Sequence, residues 1–144
     1  MAYTGPLQDR VEIRELIEIY ADAVMRSDEA AWSGVWAEDS FWSLPEFEGL
    51  EAFTGRDAIV KGWLASLEAF GKGDPNKPSM IYIATPGAIE VDGDKAKARV
   101  YTSEIFTVPG TDTEVKVRGQ YDDELAKIDG KWLFTKRIYR VLHQ

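Results

Sequence analysis

Between Asp9 and Arg26, apolar residues fall at Val11, Ile13, Leu16, Ile17, Tyr20 and Val24, the three-and-four spacing of a helix with one buried stripe. Glu12, Arg14, Glu15 and Glu18 take the opposite side, so this helix is expected to lie on a core with one face only. Asp9 and Glu12 suit a capping-box-like start. Ser27 or Asp28 breaks the pattern and caps a shorter helix, Glu29 to Ala37, with Trp32 and Trp36 on one face. Asp28 is thereby read as a cap and not as a catalytic group. A short strand from Ser40 to Leu44 ends at Pro45, and Glu46 to Gly55 reads as loop. A third helix follows from Asp57 to Ala69, with Ile59, Trp63 and Phe70 roughly aligned and Gly71 as its stop. The Gly- and Pro-rich run from Gly71 to Pro78 reads as a flexible loop.

Beyond residue 79 the period changes from helical to extended. Strand patterns near 79–91, 95–108, 114–127 and 131–142 are separated by Asp92-Gly93, Pro109-Gly110 and Asp129-Gly130, which predicts an antiparallel meander opening with a tight hairpin. Pro86-Gly87 interrupts the first strand and is read as a bulge. In the second strand Ala96, Ala98, Val100, Thr102, Glu104 and Phe106 share one face, and Lys97, Arg99, Tyr101 and Ser103 the other. The first set is expected to face the helices. In the third strand the more apolar set, Gly119, Tyr121, Asp123 and Leu125, is assigned inward. Three helices covering one face of a curved antiparallel sheet, four long strands plus a short one, make an α+β domain spanning 1–144. Such a sheet and its cover enclose a cone-shaped space.

Composition narrows what that space can do. At 144 residues and 44% hydrophobic content the chain is long enough for one real core. Its apolar runs are too short to cross a bilayer, and its first residues lack the features of a signal peptide, so a cytoplasmic home is expected. With no Cys and a single His, His143, disulfides, thiolate nucleophiles and zinc sites are not expected, and no metal or cofactor is implied. A formal charge of −8 argues against nucleic acid, which requires clustered Lys and Arg. Five Trp, six Tyr and six Phe supply either a large aromatic core or a pocket for a ring-shaped ligand.

The chain resembles the SnoaL-like branch of the NTF2-like superfamily. The resemblance runs through Ile13-Arg-Glu-Leu-Ile and Tyr20-Ala-Asp-Ala, Trp36-Ala-Glu-Asp, Phe53-Thr-Gly-Arg-Asp-Ala-Ile, Ile89-Glu-Val-Asp-Gly-Asp, Gly119-Gln-Tyr-Asp-Asp-Glu-Leu and Asp129-Gly-Lys-Trp. It implies the cone fold. Scytalone dehydratase, hexachlorocyclohexane dehydrochlorinase, ketosteroid isomerase, epoxide hydrolases and polyketide cyclases share that fold, as do pocket proteins without catalysis. The dehydratase and dehydrochlorinase use a strand His oriented by an Asp late in the first helix as the base of an elimination. Carried over by register, these positions fall on Tyr82 and Met25. Neither side chain can do that work, so the His–Asp elimination is rejected.

What remains is Glu104, a carboxylate expected on the apolar inner face, where desolvation raises its pKa toward that of a general base. Tyr82 and Tyr121 are the expected hydrogen-bond donors to a developing oxyanion. Tyr20, Met25, Trp42, Leu44, Phe106 and Arg137 complete the expected substrate-binding set. The alternatives are a one-residue register slip that pairs Glu104 with Arg118 or Lys116 in solvent, tyrosines that are simply core aromatics, and an Arg137 on the sheet surface. Asp22 is read as the partner of Arg26, four residues on. Two functions therefore stand: an isomerase, cyclase or lyase acting on a small hydrophobic cyclic molecule, or a non-catalytic binding or assembly module. The outer sheet face, with Lys97, Arg99, Tyr101, Ser103 and Gln120, is the expected surface of a homodimer.

Overall fold

In the computed structural model, which describes residues 1–71, 76 and 78–144, helix α1 runs Leu7–Arg26 and the one-turn helix α2 Glu29–Ser33. Strands β1 (Trp36–Ser43) and β2 (Phe53–Thr54) precede α3 (Arg56–Phe70). The long strands follow: β3 (Met80–Asp92), β4 (Lys95–Thr107), β5 (Glu114–Ile128) and β6 (Lys131–His143). Most of the expected 71–78 loop, and the alignment of the Phe70 side chain, lie outside the described residues. No described helix is long and apolar enough to cross a membrane.

The six strands form one open sheet in the order β2-β1-β6-β5-β4-β3. All neighbours are antiparallel except β1 and β6, which run parallel. The α+β expectation holds, with one strand more than expected. Register irregularities at Pro86/Ile89 and Glu124/Leu125 mark bulges, which bend a sheet and increase its twist. The first is the expected Pro86-Gly87 interruption. Helix α1 packs across β3 and β6, burying Ile13, Leu16, Ile17, Tyr20, Ala21, Ala23 and Val24. Val11, assigned to the same stripe, is instead exposed at the helix's first turns.

Local differences have local causes. Asp9 does not cap α1, whose N-cap is Pro6 without a side-chain bond. Its Oδ1 accepts from Trp132 Nε1 at 3.0 Å and Lys127 Nζ at 3.2 Å, tying the helix start to the last hairpin, and the Trp132 bond above all holds its pKa low. Asp28 does cap α2, accepting from Ala31 N at 3.1 Å, and Asp22 meets Arg26 at 3.8 Å. Trp36 was expected on the second helix but opens β1, because the Val35 carbonyl accepts from Phe134 N at 2.9 Å and Trp36 pairs with Phe134. Pairing with β6 overrides a weak helical pattern there. Strand β2, read as loop, is only two residues long and exists through its pairing with Phe41 and Trp42. In the first hairpin Asp92 pairs with Lys95, so the turn is Gly93-Asp94, with Gly93 at φ +60°, one residue later than expected.

The core fills the space between helices and sheet and is dominated by aromatic rings. Trp32 stacks on Trp63 at 4.4 Å and meets Trp36 and Trp42 edge-on at 5.5 and 5.4 Å. Opposite them, the Tyr139 ring lies over Gly119, where any Cβ would collide with its ring carbons and hydroxyl. Gly119→Ala is therefore expected to lower stability by about 1–3 kcal/mol in urea denaturation. An unchanged midpoint would show that the Tyr139 ring moves freely.

Candidate active site

The sheet register decides which polar groups face the helices. Glu104 on β4 lies directly opposite Tyr82 on β3, and directly opposed residues of an antiparallel pair share a face. Tyr121 on β5 lies between Val100 and Tyr139, and Asp123 between Ala98 and Arg137. The slipped register is thus excluded: Arg118 and Lys116 sit opposite Ser103 and Ile105 on the outer face, and Lys116 pairs with Glu114 at 3.7 Å.

These residues converge on a cavity of about 170 Å³. The sheet contributes Tyr82, Glu104, Phe106 and Tyr121, α1 contributes Tyr20 and Val24, β1 and the turn after it Trp42, Leu44, Phe47 and Leu50, and α3 Trp63 and Leu67. Of the nine residues expected from sequence, seven line it. Met25 does not: it packs against the core beside it. Arg137 does not either, and it is not on the sheet surface, being only 1% exposed behind the tyrosines. Trp63, Phe47, Leu50 and Leu67 were not anticipated as lining. The helical alignment of Trp63 was visible, but not which cavity it would face.

Arg137 organises this back wall. Its Nε and Nη2 donate to the two Asp123 carboxylate oxygens at 2.7 and 3.1 Å, the bidentate geometry that makes such pairs strong. The guanidinium carbon also lies 4.4, 3.9 and 4.3 Å from the ring centres of Tyr20, Tyr121 and Phe134, within cation–π range. Burial is the largest single influence and opposes the Arg137 charge, but Asp123 together with Tyr20, Tyr82 and Tyr121 outweighs it and the pKa is raised. For Asp123 the balance tips the other way: burial lifts its pKa to about 6 against the pull of Arg137.

In front of Arg137, Trp42 Nε1 donates to the Tyr121 hydroxyl at 3.0 Å, and that hydroxyl shares a 3.3 Å hydrogen bond with Tyr20. Three N–H and O–H protons thus serve two hydrogen bonds, which leaves one phenolic proton of the group available. The Tyr82 hydroxyl is buried and has no hydrogen-bond partner among the described residues, a costly state in an apolar setting. Desolvation raises the pKa of Tyr20, Tyr82 and Tyr121, so all three are neutral donors. Desolvation also raises Glu104, to about 7. A carboxyl with that pKa exchanges a proton readily at neutral pH. The arrangement can therefore remove a proton from a bound molecule and hydrogen-bond the negative oxygen that results. Among the described residues no group of acidic or imidazole side chains could hold a metal ion.

The family profile of the SnoaL-like domain matches residues 5–138. No curated protein sequence matches the chain. Among solved structures, a protein of Novosphingobium aromaticivorans assigned as a scytalone dehydratase is similar at TM-score 0.79 and 24% identity, over 95% of this chain and 86% of its own. Hexachlorocyclohexane dehydrochlorinase LinA-type3 from Novosphingobium barchaimii is similar at 0.78 and 19%, over 95% and 88%. A second Novosphingobium aromaticivorans protein, assigned as an aromatic ring hydroxylase, is similar at 0.79 and 23%, over 98% and 94%. At these identities the likeness concerns the fold.

Two stability measurements test the electrostatics of the site. Because the folded-state pKa of Glu104, about 7, stands above its ordinary value of 4.5, its contribution is fully present below pH 4.5 and is lost as pH rises through 7. Glu104→Gln is expected to gain stability over the wild type between pH 5 and 8.5, by up to roughly 3 kcal/mol; a difference independent of pH would refute the desolvated carboxyl. Arg137→Met strands the Asp123 charge and is expected to cost about 3–5 kcal/mol, most of it regained when Asp123→Leu is added.

Proposed function

This chain belongs to the family of SnoaL-like domains, and on that premise we propose that it is an acid–base enzyme acting on a small hydrophobic cyclic molecule. The fold and its relatives support a catalytic or ligand-binding role; the finer reading rests on one observation. Within a largely aromatic and apolar cavity, a carboxyl with pKa near 7 lies cross-strand from a buried phenol that has no hydrogen-bond partner among the described residues.

Glu104 is the base in this reading. Its carboxylate takes a proton from the carbon next to a substrate carbonyl, and negative charge moves to the carbonyl oxygen. Tyr82 and the spare phenolic proton of the Tyr20–Tyr121–Trp42 group hydrogen-bond that oxygen where water does not compete, so the interaction is stronger than in solution. Arg137 does not touch the substrate; its charge behind Tyr20 and Tyr121 positions both rings. Return of the proton to another carbon gives an isomerase, loss of a β-substituent a lyase, and attack of the enolate within the molecule a cyclase. With Tyr82 and Met25 standing where the resemblance places a His and an Asp, the base has to come from another strand position, and Glu104 supplies it. The second reading, a binding module, is favoured by that same replacement and differs only in that no proton leaves the ligand.

Exchange of α-protons for deuterium in a panel of cyclic ketones, followed by mass spectrometry, separates the two readings. Wild type is expected to accelerate exchange, with a rate that rises with pH and levels off above about 7. Glu104→Gln is expected to lose at least about 100-fold, and Tyr82→Phe about tenfold or more. Wild-type exchange at the buffer rate supports the binding module, and full activity in Glu104→Gln removes Glu104 as base.

A further inference from the structure

We infer that β3 is an interface strand: two copies of this chain join edge to edge along residues 80–84, antiparallel about a two-fold axis at Tyr82, so that their sheets become one. This concerns assembly and is independent of what the cavity does. Three features carry it: the backbone groups left on that edge, the register a two-fold axis imposes on them, and the absence of charge along the seam.

Strand β3 ends the sheet, and only part of its outer edge is covered. Beside Glu90 the chain's own N-terminus lies along it: Thr4 N donates to the Ile89 carbonyl at 3.1 Å, and Val91 N to the Thr4 carbonyl at 3.0 Å. Residues 80–86 pair with β4 alone among the described residues. The bonds to Thr4 show that Ile89 and Val91 turn their backbone groups outward. Between Pro86 and Ile89, β3 advances three residues while β4 advances two, from Val100 to Ala98, and the extra residue reverses the alternation. Before the bulge, Met80, Tyr82, Ala84 and Pro86 are therefore the residues whose backbone faces the free edge. Pro86 has no N–H to offer there, and it closes the seam just before the N-terminus takes over the edge.

A two-fold axis at Tyr82 sets Tyr82 opposite the partner's Tyr82 and Met80 opposite the partner's Ala84. All of these turn outward, so each opposed pair exchanges two N–H···O=C bonds. The same axis sets Ile81 opposite the partner's Ile83, and Ile83 opposite the partner's Ile81. Both side chains lie on the outer sheet face, 48% and 52% exposed, with Ile105 opposite Ile81 on β4. Cross-strand pairing covers them. Tyr82 is the one axis position at which both isoleucines of each copy meet isoleucine.

Edge strands are ordinarily blunted by charge or by shortness. The opposite edge strand, β2, is only two residues long. β3 is long, and residues 80–89 include no charged side chain in a chain of which 29% is charged. A formal charge of −8 repels a second copy over most of the surface, and along this neutral seam no like charges meet. On the broad outer face the charges are matched within the chain, Lys136 to Glu124 at 3.6 Å and Arg140 to Asp122 at 3.8 Å. Of the two surfaces, the edge has the unmet groups. A seam this short stands at the low end of specific interfaces, so the association reverses on dilution.

Sedimentation velocity over a concentration series, with amide hydrogen exchange read by NMR at both ends of it, tests the assignment. Wild type is expected to pass from monomer to dimer. The amides of Tyr82 and Ala84 are expected to slow at least about tenfold in the dimer, while those of Ile81 and Ile83, which face β4, stay unchanged. Ile83→Lys places charge on the seam, and Ala84→Pro removes an outward N–H while leaving the β4 bonds in place. Each is expected to weaken association at least about tenfold, and Arg140→Glu on the outer face to leave it unchanged. A chain that stays monomeric throughout overturns the inference. So does a dimer weakened by Arg140→Glu and by neither edge variant, which places the contact on the outer face. Tyr82 and Ala84 amides equally slow in the dilute monomer overturn it too, because the chain then covers its own edge. If a variant does not fold, the wild-type exchange pattern decides alone.

Discussion

The buried pair of Arg137 and Asp123 is the constraint on which the inner architecture depends. Two charges removed from water are tolerated only with close to ideal geometry, and here both carboxylate oxygens are met by the guanidinium fork. That requirement fixes Arg137 opposite Asp123 in the β5–β6 register. It also fixes what may surround the cation: the faces of Tyr20, Tyr121 and Phe134, from α1, β5 and β6. One ion pair thereby locks a helix to two strands and aims two phenols at the cavity in front of it.

The same desolvation that makes the pair costly gives the cavity its chemistry. Burial keeps the three tyrosines protonated although a cation lies close by, and it lifts Glu104 to where proton exchange is easy. A domain optimised for stability would fill this space or exchange Glu104 for an apolar residue. Keeping a carboxyl and a phenol without a hydrogen-bond partner among the described residues together in an aromatic shell is a local cost, offset by the burial of Trp32, Trp36, Phe134 and Tyr139 in the same core. Costs of this kind gather at functional sites in proteins generally.

The fold shared with the SnoaL-like relatives sets where a site can be and leaves its chemistry to individual positions. At the two positions that carry the elimination dyad by resemblance, this chain has Tyr82 and Met25. The first lines the cavity wall with its hydroxyl buried, and the second is part of the core beside it. The cone is retained while the dyad side chains are not, and the cavity's carboxyl, Glu104, stands on the neighbouring strand.

How much of this was legible in the sequence follows from the range of the forces involved. The 3.6-residue and two-residue periods placed α1, α3 and the four long strands within a few residues of their observed ends. Alternation alone set Glu104 and Tyr121 on the inner face, because a strand inside one domain has a single apolar side to bury. Where a segment lacked strong local preference, long-range pairing decided: Trp36 joined β1 through Phe134, Phe53 and Thr54 became strand through Phe41 and Trp42, and Asp9 left its cap for Trp132. Sequence by itself therefore determined the class of fold and the residues that could meet. Only the tertiary structure decided that Arg137 is buried against Asp123, that Met25 stays out of the cavity, and that Trp63 and Leu67 enclose it. Burial, cavity size and pKa depend on groups brought together from distant parts of the chain, and no local pattern encodes those distances.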